Sequence, residues 1–127
     1  MRHVAIRVVA DSLPAVVERV HAWERWAPAL GVLEFEGKEQ ELRLRMAGPS
    51  PFEVMISLEC SPGGLTATLV EGALAALSFE VTVIPLDEGT QVQLSLVWQP
   101  PLYVPGAFQR SIDDDLLPRV MDVLLNN

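Results

Sequence analysis

The sequence has a single cysteine, no long apolar run and no basic residue through its middle half. One cysteine, Cys60, excludes an internal disulfide, a CxxC redox pair and a cysteine metal cluster. The start, "MRHVAIRVVA", carries Arg2 and Arg7 and lacks the long apolar core of a signal peptide. The longest uncharged stretches contain Pro, Gly, Ser, Thr or Gln, so none predicts a transmembrane helix. We therefore expect no stable membrane insertion and a cytoplasmic location.

Lys, Arg and His are absent between Arg45 and Arg110, and the formal net charge is -8. That stretch carries only acidic charges, from Glu53 to Glu88. Phosphate binding needs a basic stripe, so nucleic acid is excluded as a partner. Half of the 127 residues are hydrophobic, which suffices for a core without disulfides. Residues 1–127 are predicted to form a single domain.

Two patterns open the chain. Residues Arg2–Ala10 alternate, with Val4, Ile6 and Val8 on one face and Arg7 on the other, which predicts a strand. "DSLPAVVERV" then predicts a helix over 12–21, capped by Asp11 or Ser12, with Pro14 in its first turn. A second short helix, 22–27, contains Trp23 and Trp26 and ends near Pro28.

A period of two follows for about seventy residues, which predicts an antiparallel meander with one apolar face. The predicted strands are Leu33–Phe35, Leu42–Met46, Phe52–Cys60, Leu65–Leu69, Leu77–Val83 and Val92–Trp98. A helix over 106–125 closes the chain, because Phe108, Ile112, Leu116, Val120 and Leu124 recur every four residues. Pro118 predicts a kink, or a second segment capped by Asp114 or Asp115.

Four stretches resemble the START-like, or SRPBCC, superfamily: "DSLPAVVERV", "WERWAP", "LSFEVTVIPLDEGTQVQLSLVW" and "PPLYVPGAFQRSIDDDLLPRVMDVL". The resemblance covers nearly the whole chain. It implies an α+β helix-grip fold, in which a curved antiparallel sheet of about seven strands wraps a long C-terminal helix. Two short helices then lie between strands 1 and 2. Val81 stands where relatives often carry a large aromatic residue, which is expected to enlarge or reshape the pocket.

The resemblance also implies an apolar cavity that binds lipids, quinones, polyketides or sterols, and a minority of members are cyclases or dehydratases. The apolar face of the sheet is wider than one helix can cover, so the interior is either tightly packed or hollow. The predicted ligand-binding residues are Trp26, Phe35, Leu44, Met46, Val54, Ile56, Leu58, Leu69, Leu77, Phe79, Val81, Leu96, Trp98, Phe108, Ile112 and Leu116. Trp26 is either a partly solvated lid or a plug of the core, with Trp23 as its packing neighbour.

Polar residues on the predicted inward face are few. Cys60 and Glu71, at strand ends, are the only possible members, and Glu71 with Tyr103 is the best acid–base pair that the sequence offers. His3 and His21 have no spaced carboxylates and do not make a metal site. The run Asp113–Asp115 lacks the loop geometry of a calcium site and predicts a solvated cap. We expect no catalytic residue, metal or cofactor.

Three functions stay open at this point. The first is non-enzymatic binding or transport of a hydrophobic small molecule. The second is a cyclase or dehydratase acting on a polyketide-like substrate, which needs polar groups in the cavity. The third is an interaction module with a closed interior and an exposed apolar patch around Leu102, Tyr103 and Val104.

Overall fold

The computed structural model of the protein describes residues 2–38, 40–47, 51–72, 76–99 and 106–126. The strands are β1 Arg2–Val9, β2 Val32–Lys38, β3 Glu41–Met46, β4 Phe52–Ser61, β5 Gly64–Gly72, β6 Ala76–Leu86 and β7 Gly89–Gln99. Helices α1 (Leu13–His21) and α2 (Trp23–Trp26) and a 3-10 turn, Ala27–Leu30, separate β1 from β2. Helical structure then runs through α3 (Gly106–Ser111), a π segment (Ile112–Leu116) and α4 (Leu117–Leu125).

The seven strands form one sheet in the order β1-β7-β6-β5-β4-β3-β2, and every neighbouring pair is antiparallel. Consecutive strands from β2 to β7 are neighbours, as a meander with short turns requires. β1 is added beside β7, so β1 and β2 lie at the two edges. The predicted curved antiparallel sheet, long C-terminal helix and pair of short helices are confirmed.

The core lies between one face of the sheet and the helices. Its fully buried members come from both layers, including Val16 and Val20 on α1, Leu94 on β7 and Leu117 and Leu124 on α4. Apolar residues at every second strand position and at every third or fourth helix position meet there. The alternation thus accounts for the buried face of β3 to β7.

Strand β1 is oriented opposite to what its apolar row suggests. Val4, Ile6 and Val8 are 40, 58 and 58% exposed, whereas His3 is 4% exposed. Ala5 and Val9 pack against the core instead. The inward face is anchored by polar contacts to the C-terminal helix, which outweigh the apolar character of the other face.

The C-terminal helical run continues through Pro118 without a break. Pro118 lies in the first turn of α4, where its missing N–H costs little. The N–H of Leu117 donates to the carbonyl of Ile112, an i to i-5 bond that defines the π turn. No side-chain cap precedes α4, so Asp114 and Asp115 do not cap a second segment.

Two arginines join the C-terminal end of α4 to the first helices. Arg25 donates to the carbonyls of Val123, Leu124 and Asn126 at 2.8, 2.7 and 2.5 Å. Arg19 donates to the carbonyl of Leu125 at 3.0 Å. These carbonyls have no partner within the helix, so the arginines satisfy them and fix α4 beside α1 and α2.

Candidate functional site

An apolar cavity of ≈ 330 Å³ lies between the sheet, the α2 region and the C-terminal helix. Strands β3 to β7 supply its floor through their inward positions. The 3-10 turn and α2 close one side, and the π segment covers another. The sheet is wider than the helix stripe that packs on it, and the space left over is this cavity.

Every residue of the described ranges that lines the cavity is apolar. Of the predicted ligand-binding residues, these line it: Trp26, Leu44, Met46, Ile56, Leu58, Leu77, Phe79, Leu96, Trp98, Ile112 and Leu116. They come from β3, β4, β6, β7, α2 and the π segment, so elements distant in the chain converge on one space.

The remaining predicted residues lie elsewhere. Val54 and Val81 are 1% exposed and belong to the packed core, not to the cavity wall. Leu69 is half-buried against the core. Phe35 is 48% exposed at the edge strand β2. The side chain of Phe108 falls outside the described part of the structure.

Several wall residues are absent from the set that the sequence predicts: Trp23, Ala27, Leu30, Val32, Ala47, Phe52, Leu65 and Ala67. The sequence predicts Trp23 only as a packing neighbour of Trp26. Ala67 and Leu65 lie on the inward face of β5, so the alternation of that strand could have identified them as wall residues. Ala27 and Leu30 belong to a 3-10 turn, for which the sequence offers no comparable pattern.

Trp26 is a buried wall residue and not a solvated lid. It is 2% exposed, and its indole N–H donates to the carbonyl of Val20 at 3.2 Å. Its ring packs against Phe79 with a centroid distance of 5.7 Å. The expectation of a partly solvated Trp26 is therefore wrong, because the hydrogen bond to α1 turns the ring inward.

Trp23 occupies the boundary between cavity and solvent. It lines the cavity and is half-buried. Its ring meets Phe35 edge to face, with centroids 4.9 Å apart and planes at 67°. Phe35 is directly opposite the wall residue Leu44 on the neighbouring strand. The Trp23–Phe35 pair thus forms the rim of the cavity at the β2 edge.

The one buried histidine of the described residues forms a pair that the sequence does not predict. His3 Nδ1 lies 2.9 Å from Asp113 Oδ1, and within the described residues its Nε2 is buried without a hydrogen-bond partner. His3 faces Leu96 across the β1–β7 ladder, but it does not line the cavity. The pair joins β1 to the π segment, beside rather than within the apolar wall.

Of the other polar candidates, Glu71, Cys60 and His21 do not line the cavity. Glu71 and Cys60 are exposed, and Tyr103, with Leu102 and Val104, falls outside the described residues. His21 Nε2 lies 2.7 Å from the carbonyl of Ser61 and 3.1 Å from that of Gly64, which secures the β4–β5 turn. Across the described ranges, no group of three His, Cys, Asp or Glu could hold a metal ion.

The thiol of Cys60 is less acidic than an ordinary cysteine. Although the side chain is exposed overall, the partial desolvation of its thiol raises the pKa above 9.0, and the nearby Glu24 carboxylate raises the pKa further. The thiolate is the nucleophilic form, so these neighbours suppress its reactivity near neutral pH. Cys60 thus carries no sign of a nucleophilic role.

Known proteins match this chain in structure rather than in sequence. No protein-family model and no curated protein sequence matches the chain. Solved structures do match it closely in fold. The protein TTHA0849 from Thermus thermophilus has 19% identity and a TM-score of 0.70, with 98% of this chain and 92% of that chain covered.

Two further structures carry informative descriptions. A "START superfamily protein from Mycobacterium smegmatis" has 18% identity and a TM-score of 0.73, with 97% of this chain and 93% of that chain covered. The "di-domain ARO/CYC StfQ from the steffimycin biosynthetic pathway" has 11% identity and a TM-score of 0.74, with 97% of this chain and 48% of that one covered. The chain therefore has the START-like, or SRPBCC, helix-grip fold.

Proposed function

We propose that the protein binds a hydrophobic or amphipathic small molecule in the cavity, without catalysing a reaction on it. The observation that carries this proposal is a volume of ≈ 330 Å³ whose described lining consists of apolar side chains alone. Small-molecule sites span about 300–1,000 Å³, so the space is at the lower end of that range. Affinity would come from apolar area removed from water.

The size and shape of the wall narrow the class of ligand. A cavity of ≈ 330 Å³ is too small for a two-chain lipid and suits a compact ring system or one short chain. Trp23, Trp26, Phe52, Phe79 and Trp98 contribute aromatic rings to the wall. Such rings favour a flat aromatic ligand through offset or edge-to-face contacts. The similarity to the fold of an ARO/CYC protein agrees with that shape.

A cyclase or dehydratase is the second candidate, and the wall argues against it. Acid–base catalysis needs a titratable group within reach of the substrate. The described residues that line the cavity include no such group. His3 with Asp113 lies beside the wall, since His3 is opposite the wall residue Leu96 on β7, but neither His3 nor Asp113 lines the cavity. Within the described residues, no helix is both long and apolar enough to span a bilayer.

The test is a binding titration with a neutral bicyclic aromatic probe, 2-naphthol, followed by tryptophan fluorescence and calorimetry. The blocking variant is Ala67→Phe. Ala67 lines the cavity, and its cross-strand neighbours Leu58 and Phe79 line it too. A phenyl ring at position 67 therefore enters the same space. The matched control is Thr68→Phe, which places the same ring on the exposed face of β5.

We expect the wild type and Thr68→Phe to bind the probe, and Ala67→Phe to lose at least about 10-fold in affinity, because the added ring occupies the site. Circular dichroism confirms that each variant is folded. If the wild type does not bind, or if Ala67→Phe binds as well as Thr68→Phe, the proposal is wrong. Mass spectrometry of organic extracts from the purified protein then identifies any natural ligand.

A further inference from the structure

The free edge of the sheet at β1 has a face and a charge that suit a second copy of the chain. An edge strand presents unpaired N–H and C=O groups, and natural proteins usually protect such an edge. In the described sheet β1 has a neighbour only on the β7 side. Its outward row, Val4, Ile6 and Val8, is 40–58% exposed. The edge thus combines free hydrogen-bonding groups with apolar side chains.

The two edges of the sheet differ in their protection. Strand β2 carries Glu34 and Glu36, and a register shift between Val32 and Glu34 interrupts its pairing with β3. Charges and bulges are the usual devices against edge pairing. Strand β1 runs in unbroken register along β7 from Arg2 to Val9 and contains no proline. β1 is therefore the edge open to pairing.

Charge also selects β1. The chain has a net charge of -8, so two copies repel each other over most of their surface. Strand β1 carries Arg2 and Arg7 and no acidic residue, and the carboxylates of Asp113 and Asp122 beside it pair with His3 and Arg7. The charges along β1 are therefore largely offset, so two copies repel each other less there than over the rest of their acidic surface.

We propose that β1 forms the seam of a symmetric homodimer, with β1 of each copy pairing antiparallel to the other about Ile6. In an antiparallel pair, directly opposite residues point to the same face of the sheet. A two-fold axis between the two strands therefore pairs even-numbered residues with even-numbered ones and odd-numbered residues with odd-numbered ones. Centred on Ile6, the pairing places Ile6 opposite Ile6 and Val4 opposite Val8 of the second copy. The apolar rows of both copies then join across the seam.

Neighbouring registers are unfavourable. A pairing centred on Arg7 places the two Arg7 side chains opposite each other, and like charges directly opposite destabilise a sheet. A pairing centred on Ala5 places Arg2 opposite Val8, and His3 opposite Arg7. The register about Ile6 instead sets Arg7 opposite Ala5 and Arg2 opposite Ala10. The sequence of β1 thus favours one symmetric register.

Sedimentation equilibrium over a wide concentration range tests the dimer. We expect the mass to rise from 14.0 kDa to twice that value, with dissociation in the micromolar range, because one strand seam is a small interface. Ile6→Lys should weaken association by about 10-fold or more, since a charged edge opposes pairing. The matched control is Ile84→Lys, on the same outer face but on the interior strand β6.

Cysteine pairing in a Cys60→Ser background tests the register without relying on affinity. Ile6→Cys alone should form a covalent dimer, whereas Val4→Cys should pair with Val8→Cys only when the two proteins are mixed. A mass of 14.0 kDa at all concentrations, with no cross-link at position 6, would overturn the proposal. Growth beyond a dimer would overturn it too, because it indicates pairing of β1 with the β2 edge of another copy.

Discussion

Trp23 and Phe35 meet edge to face at the rim of the cavity, with ring centroids 4.9 Å apart. Trp26, one turn further along the chain, is 2% exposed and packs against Phe79, which lines the same cavity. The two tryptophans of "WERW" therefore divide two roles between them. One closes the boundary with solvent, and the other builds the interior wall.

This division predicts different consequences for the two truncations. Trp26→Ala should lower the free energy of unfolding by about 3–5 kcal/mol, because it leaves an apolar void and removes a buried hydrogen bond. Trp23→Ala should cost the protein less than half as much stability, because its ring is already partly solvated. It should weaken binding of 2-naphthol by about 1–2 kcal/mol through lost contact area.

Urea denaturation and a binding titration on both variants measure this difference. Phe35→Ala removes the other ring of the Trp23–Phe35 contact. It should therefore also lower the affinity for 2-naphthol more than the stability, with smaller effects than Trp23→Ala. Equal losses of stability in Trp23→Ala and Trp26→Ala would contradict the assignment of rim and wall.

The strands β3 to β7 could be predicted from the sequence because their alternation is controlled by burial on one face. Phe79, Val81 and Val83 on β6, for example, are all buried, as the period of two requires. The alternation does not predict which residues of that face pack in the core and which line the cavity. Val81 joins the packed core while Phe79 lines the cavity, two residues apart on one strand.

Strand β1 shows where alternation alone fails. Its apolar row faces outward because the opposite row carries His3, which pairs with Asp113, and Arg7, which bonds Asp122 at 2.5 Å. Both partners lie more than a hundred residues away on the C-terminal helix, so the local sequence of β1 does not predict these contacts. The π segment could not be predicted from the sequence either, because the helical spacing and Pro118 are compatible with a regular helix, a kink or a π turn.

Salt should have little effect on ligand affinity. The cavity wall, as far as the structure describes it, contains no charged residue, so salt has no attraction between wall and ligand to screen. The dissociation constant of 2-naphthol should therefore change by less than about twofold between low and high ionic strength. A steep loss of affinity at high salt, measured by calorimetry, would reveal a charged anchor outside the described wall.

Arg25 is expected to be the main clamp on the C-terminal helix. Its guanidinium donates to the carbonyls of Val123, Leu124 and Asn126, which otherwise end the helix without partners. Arg25→Ala should destabilise the protein by about 1–2 kcal/mol in a urea melt. Arg45→Ala is the control, because its exposed contact with Glu34 spans 3.9 Å and should contribute less than about 0.5 kcal/mol.

The pH dependence of thiol labelling tests the surroundings of Cys60. Partial burial and the Glu24 carboxylate raise its pKa, so the thiolate fraction at pH 8 is smaller than that of a free cysteine. Reaction with a disulfide reagent should be slow and should accelerate at higher pH than in a model peptide. Glu24→Gln should shift the rate profile to lower pH, and an unchanged profile would show that Glu24 has no influence.

The turn between β4 and β5 offers a test with neighbouring glycines. Gly64 has φ +144°, and a Cβ there would lie 1.8 Å from the carbonyl oxygen of Val81 on the adjacent strand. Gly64→Ala should therefore cost about 2 kcal/mol or more, because backbone must move as well as adopt a strained conformation. At Gly63 nothing lies within 4 Å of an added Cβ, so Gly63→Ala should change stability by less than about 0.5 kcal/mol. Urea melts of the two variants measure the difference. Equal stabilities would mean that β5 does not approach β6 as closely at Gly64 as the pairing of Gly64 with Thr82 requires.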